Sequence, residues 1–115
     1  MKDIVKFINE STKPSWAKYL KHIKYEDLIK YSIQALKKSK TSASDIIDEL
    51  GQFKDPDDLD AAYERGDLDY CKWEDELMNM LADNDEYAGN EGNIGDEIWA
   101  NSYDLFNELY KQTSK

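Results

Sequence analysis

The chain has 115 residues, 40% of them hydrophobic and 12% aromatic, and a formal net charge of −10. That length and apolar content suit one folded domain with its own core and argue against a disordered acidic tail. The negative charge argues against free nucleic acid and anionic membranes as partners and points to basic proteins.

The single cysteine, Cys71, has no partner within the chain for a disulfide, so a reducing, cytoplasmic setting is expected. No apolar run approaches the roughly 18 residues of a membrane span. The opening MKDIVKFINES lacks the apolar core and small-residue cleavage site of a signal peptide. Charge is unevenly placed. Residues 1–40 hold ten lysines against four acids, and residues 41–115 hold five bases against 21 acids. A single helical domain with a basic portion (1–40) and an acidic portion (41–115) is therefore expected.

In chain order, nearly every segment has helical periodicity. Ile4, Phe7 and Ile8 stand at i, i+3, i+4. Pro14, with Thr12 upstream, suits a first helical position, and Trp16, Tyr19, Leu20 and Ile23 repeat the stripe. The next helix is expected over 25–39, with Leu28, Ile29, Ser32, Ile33 and Leu36 inward. Its acids Glu26 and Asp27 come first and Lys37, Lys38 and Lys40 last, as the helix dipole favours. Ser42 and Asp45 form a capping-box pattern ahead of Ile46, Ile47 and Leu50, and Gly51 is the expected left-handed stop.

Asp55 as N-cap and Pro56 at N1 open the next helix, with Asp57 and Asp58 in its first turn. Gly66 is either a C-cap or a kink. A further helix over about 67–83 sets Tyr70, Trp73, Leu77 and Leu81 on one face. The stretch NDEYAGNEGNIG, 84–95, holds three of the five glycines and is expected as the one long loop. A last helix over about 95–111 places Ile98, Leu105 and Leu109 in one row. Trp99, Tyr103, Phe106 and Tyr110 form the next row, and Glu97, Asp104 and Glu108 lie opposite. With one valine and no alternating β-branched runs, the expected fold is all-α: a compact bundle of five to seven short helices with a Gly-rich loop before the last.

The chemistry question lies in 55–76, DPDDLDAAYERGDLDYCKWEDE, which carries ten carboxylates and two bases. A calcium loop needs oxygen ligands at positions 1, 3 and 5, then glycine. Counting from Asp83 the pattern fails at Tyr87 and Ala88, and counting from Asp55 it fails at Leu59. Zinc wants several Cys and His, and the chain has one of each, Cys71 and His22. The acids around Cys71 raise a thiol's pKa, against nucleophilic use. The glycine-rich loop has no Lys-Ser/Thr phosphate cradle. No cofactor, metal or catalytic residue is expected.

The acids read better as a surface. Asp57, Asp60 and Glu64 share one helical face, and Asp69, Glu76 and Asp83 recur every seven residues away from the apolar stripe. As one continuous helix, 55–76 would carry roughly one net charge per 4 Å, against about one per 1.7 Å of duplex DNA. A second acidic row, from Asp45, Asp48 and Glu49 or from Glu97, Asp104 and Glu108, would bring the surface to the density of DNA. In size, acidity and helical, aromatic-rich make-up, the chain resembles the small DNA-mimic inhibitors that phages direct against restriction or CRISPR enzymes. The resemblance is one of composition and carries over no individual residue.

The expected function is therefore a non-enzymatic inhibitor occupying a basic DNA- or RNA-binding site on another protein. The expected contact residues are Asp55, Asp57, Asp58, Asp60, Glu64, Asp67 and Asp69, then Asp75, Glu76, Asp83, Asp85 and Glu86, with Trp73 or Tyr87 as an exposed aromatic anchor. Alternatives are an immunity protein or antitoxin capping a basic toxin, and an assembly protein that self-associates through its basic and acidic portions; a homodimer is a further candidate assembly.

Overall fold

The computed structural model describes residues 14–113. The stripe Ile4, Phe7, Ile8 and the position of Thr12 lie outside the described residues. A 3-10 helix, Ser15–Tyr19, is followed by six α-helices: α1 (Tyr25–Ser39), α2 (Ala43–Gly51), α3 (Pro56–Arg65), α4 (Asp69–Ala82), α5 (Glu91–Ala100) and α6 (Ser102–Thr113). Among the described residues there is no strand. The all-α bundle of short helices stands as expected.

The core is built on α4. Tyr70, Trp73, Leu77 and Leu81, spaced to fall on one side of a helix, are all fully buried. They pack chiefly against α1, which presents Leu28, Ile29, Ser32, Ala35 and Leu36. α2 packs mainly on α6, bringing Ala43, Ile46 and Leu50 against the side that carries Leu105, Phe106 and Leu109. Where the two pairs meet, the Trp73 and Phe106 rings lie edge to face with centroids 4.7 Å apart, a favoured arrangement for their quadrupoles. Tyr70 extends the cluster to Trp99 and Tyr63, whose own rings stack at 4.5 Å.

Local signals explain several helix ends. The Ser42 hydroxyl accepts from the Asp45 N–H at 3.2 Å and starts α2. Asp55 accepts from the Asp57 N–H at 2.9 Å, with Pro56 just inside α3. Gly66 is a C-cap, left-handed at φ 74°, so α3 and α4 are separate helices rather than one acidic rod.

Other expectations are corrected. Residues 15–23 form a 3-10 turn and then bend, because the Lys21 and His22 N–H groups bond to the distant Glu97 carboxylate instead of to a helical carbonyl. Pro14 is the N-cap of that turn rather than its first residue. Gly51 is the last helical residue of α2 and has no positive φ; the cap, Gln52, is right-handed. The long loop shortens to 83–90, since Gly92 and Gly95 lie inside α5, and the left-handed turn falls at Gly89 with φ 94°. The single last helix is two. At Asn101 the backbone leaves helical values, and the side chain bonds back to the Glu97 carbonyl at 2.8 Å, the local competition that makes Asn a poor interior residue.

Candidate functional site

The carboxylates divide into two groups by what they touch. One group holds the fold together. Leu68, the N-cap of α4, provides no side-chain cap. Glu49 reaches across from α2 instead, accepting from the Asp69 N–H at 2.7 Å and the Tyr70 N–H at 3.2 Å. A carboxylate there meets both the orphan donors and the positive end of the helix dipole. Glu97 clasps the segment before α1, pairing with the His22 ring as well as with the two backbone N–H groups. Asp27 accepts the Tyr87 hydroxyl, and Glu74 accepts the Tyr63 hydroxyl at 2.8 Å. Glu49 and Glu97, counted above towards a second acidic row, are therefore engaged by partners within the chain, which thins both candidate rows.

Glu74 differs chemically from the rest. Burial pushes its carboxyl pKa up, and the charges of Asp75 and Asp96 push the same way, while the Tyr63 hydroxyl pulls it down. Tyr63 in turn is raised well above the ordinary phenol range, first by burial and then by Glu74. Cys71 is half-buried beside them, its thiol donating to the Tyr63 carbonyl at 3.4 Å. Burial pushes the thiol pKa up, and Glu74, Asp75 and Glu49 add to it, the opposite of what a nucleophilic cysteine needs. Among the described residues no three His, Cys, Asp or Glu side chains gather where they could hold a metal ion.

The second group of carboxylates faces solvent. Asp55, Asp57, Asp58, Asp60 and Glu64 are all exposed on α3 and its cap, and Asp67 follows them. On the other side of α3, Ala62 is buried and Leu59 and Tyr63 are half-buried, as the shared face of Asp57, Asp60 and Glu64 requires. Asp75, Asp83, Asp85 and Glu86 are exposed too, while Asp69 and Glu76 are half-buried. Bases answer few of them. Among the described residues the ion pairs within this set are Arg65–Asp67 at 2.8 Å, Lys72–Asp69 at 3.9 Å and Lys24–Glu86 at 3.5 Å. The α3 acids from Asp55 to Glu64 have no basic group within ion-pair distance among the described residues.

The aromatic anchors are corrected. Trp73 is fully buried and donates its indole N–H to the Ser32 carbonyl, so it has no face to offer a partner. Tyr87 is 3% exposed, with its ring in the core and its hydroxyl on Asp27. Trp73 belongs to the apolar periodicity of α4, which alone does not separate core from contact, and Tyr87 lies in the 83–90 loop, where no periodicity reports burial. Among the described residues the exposed large aromatics are Tyr19, Tyr103 and Tyr110. The 83–90 loop is held as well as short: Asn84 accepts from the Glu86 N–H at 2.8 Å and donates to the Tyr31 hydroxyl at 2.6 Å. The roles of Glu49 and Glu97 were missed because both partners lie far along the chain, and no spacing rule reports such a pairing.

No family model matches the chain, and no curated protein or solved structure is significantly similar to it. Among the described residues no helix is long and apolar enough to cross a membrane.

Proposed function

We propose that this protein is a non-enzymatic, nucleic-acid-mimicking inhibitor. It docks the carboxylates of α3 and the start of α4 onto a basic DNA- or RNA-binding site of a target protein, in the place of phosphates. The observation that supports this reading is the run Asp55, Asp57, Asp58, Asp60 and Glu64, exposed together and without basic partners among the described residues. Like charges so placed repel one another by a few tenths of a kcal/mol per pair. A surface evolved for solubility alone interleaves lysines. The break at Gly66 makes the mimic a set of short acidic helices rather than a rod. Steering by such a surface raises association rates and makes binding fall with salt.

The test compares the intact chain with Asp57→Asn/Asp60→Asn/Glu64→Gln as affinity baits in host cytosol, after circular dichroism has shown both folded. The reading expects a nucleic-acid-binding protein held by the intact bait alone and displaced by salt and by added duplex DNA or RNA. The same proteins on both baits, or retention indifferent to nucleic acid, would sink it.

A further inference from the structure

The described part of the molecule also carries a basic stripe with no acid at ion-pair distance among the described residues. Lys30, Lys37 and Lys38 are exposed on α1, and Lys40 is exposed at its left-handed cap. Lys30 and Lys37 are seven residues apart and share a face. None of the four makes an ion pair among the described residues. The dipole at the end of α1 accounts for about half an elementary charge, far less than these lysines carry. Meanwhile α3, with only Ala62 buried, stands on the body with its acids outward. One chain thus displays an unanswered cationic stripe and an unanswered anionic helix.

We infer that the α1 lysine stripe is a docking surface for the acidic α3 helix of a second copy of this chain. The occupant is chosen by charge complementarity. Free nucleic acid would bring a continuous run of phosphates, about one charge per 1.7 Å of duplex, against a body of net charge −10, whereas a second copy brings the few exposed acids of one helix, α3. At about 0.1 M salt the screening length is about 10 Å, so the contact is governed by the facing groups more than by the net charges. Joining the lysine stripe of one copy to α3 of the next uses two different patches, so the contact is heterologous and propagates rather than closing as a simple dimer. Self-association also covers α3, so it competes with the target docking proposed above, but it rests on the charge distribution and not on that reading.

The experiment is sedimentation of the full chain over a concentration series in about 0.1 M and about 0.5 M salt. The expected result is a weight-average mass that climbs past twice the monomer with concentration in the lower salt and stays monomeric in the higher. Two charge-neutralising variants, Lys30→Gln/Lys37→Gln/Lys38→Gln and Asp57→Asn/Asp60→Asn/Glu64→Gln, should each be monomeric alone. Mixed, they retain one good α3 and one good lysine stripe, so they should form a one-to-one pair that grows no further. A wild-type chain monomeric at every concentration, or association that survives either neutralisation, overturns the inference. So does a lysine stripe that binds duplex DNA or RNA while the chain stays monomeric. Loss of target binding with self-association intact would instead remove only the inhibitor reading.

Discussion

Trp73 donates its indole Nε1–H to the backbone carbonyl of Ser32, 3.0 Å away, and both residues are fully buried. The bond crosses the main helix–helix contact, α1 against α4. It gives the indole its required partner, and a small residue at position 32 lets the ring approach the α1 backbone. The Ser32 hydroxyl itself has no partner. Two substitutions at one contact should therefore act in opposite directions. Trp73→Ala should cost about 3–5 kcal/mol through the cavity and the lost bond, a large share of the stability of a small domain. Ser32→Ala removes an unsatisfied buried hydroxyl and should stabilise by about 1 kcal/mol. Urea unfolding of both variants checks the pair.

The Trp73 case also shows how far the chain could be read in advance. The periodicity of Tyr70, Trp73, Leu77 and Leu81 marks a helix face without ambiguity. It does not say whether a large aromatic on that face points into the core or out to a partner. The helix starts at Ser42 and Asp55 were legible because caps are local: the donor lies two or three residues away. The bend at 21–23 was not, because Glu97 provides the acceptor from elsewhere in the fold; α4 begins close to its expected place, but its capping carboxylate, Glu49, comes from α2 and no local spacing reports it. Glycine was ambiguous for the same reason. Gly66 terminates a helix, while Gly92 and Gly95 continue one whose other residues, Ile94 and Ile98, are held in the core. The exposed acids of α3 followed directly from their spacing.

Glu49 provides a second contrast. It satisfies two N–H groups at the start of α4, whereas its neighbour Asp48 is exposed and makes no ion pair among the described residues. Glu49→Ala should cost about 1–2 kcal/mol, as the loss of a good N-cap does. Asp48→Ala should stay within about 0.5 kcal/mol of the parent. Equal melting temperatures for the two variants would mean that water replaces the Glu49 cap without loss.

Two glycines should respond with opposite signs to the same change. Gly66 caps α3 at φ 74°, and a Cβ there would meet nothing within 4 Å, so only backbone strain opposes alanine. Gly66→Ala should cost about 1 kcal/mol and Gly66→Asn less, since Asn tolerates the left-handed region. Gly92 lies in α5 with a helical backbone and equally open space. Gly92→Ala should stabilise by about 0.5–1 kcal/mol by favouring helix and restricting the unfolded chain. Thermal melts of the three variants decide both signs.

At alkaline pH the buried phenols should control unfolding. Tyr87 is pushed up to about 12 by burial first and then by its bond to Asp27, and Tyr25 is pushed up to about 12 by burial, Glu108 and Glu26. A folded-state value above the unfolded value of 10.0 means that the contribution is whole below pH 10.0 and lost as pH rises through about 12. Phenolate absorbance and circular dichroism should therefore change together across that window. Phenolate formation well ahead of any loss of helix would show that these rings are more open to solvent than their burial implies. Tyr87→Phe should remove its part of the alkaline transition while leaving that of Tyr25.

Near neutral pH the same logic applies to Glu74 on a carboxylate scale. Its raised pKa means that the folded protein holds the proton more tightly than the unfolded chain. The stability this gives is complete below the ordinary glutamate value of 4.5 and is lost as pH rises through the folded-state value. Lowering the pH from neutral towards that value should thus favour folding at this site, because the charge is relieved of burial and of Asp75 and Asp96. Glu74→Gln removes the charge and keeps an oxygen to accept the Tyr63 hydroxyl, so it should raise the melting temperature at neutral pH. It should also flatten the rise seen on mild acidification in the parent. Glu74→Ala leaves the Tyr63 hydroxyl without its acceptor and should lose stability instead. If Gln and Ala lowered the melting temperature equally, the charge of Glu74 would be contributing to the fold, and burial would not be its dominant influence.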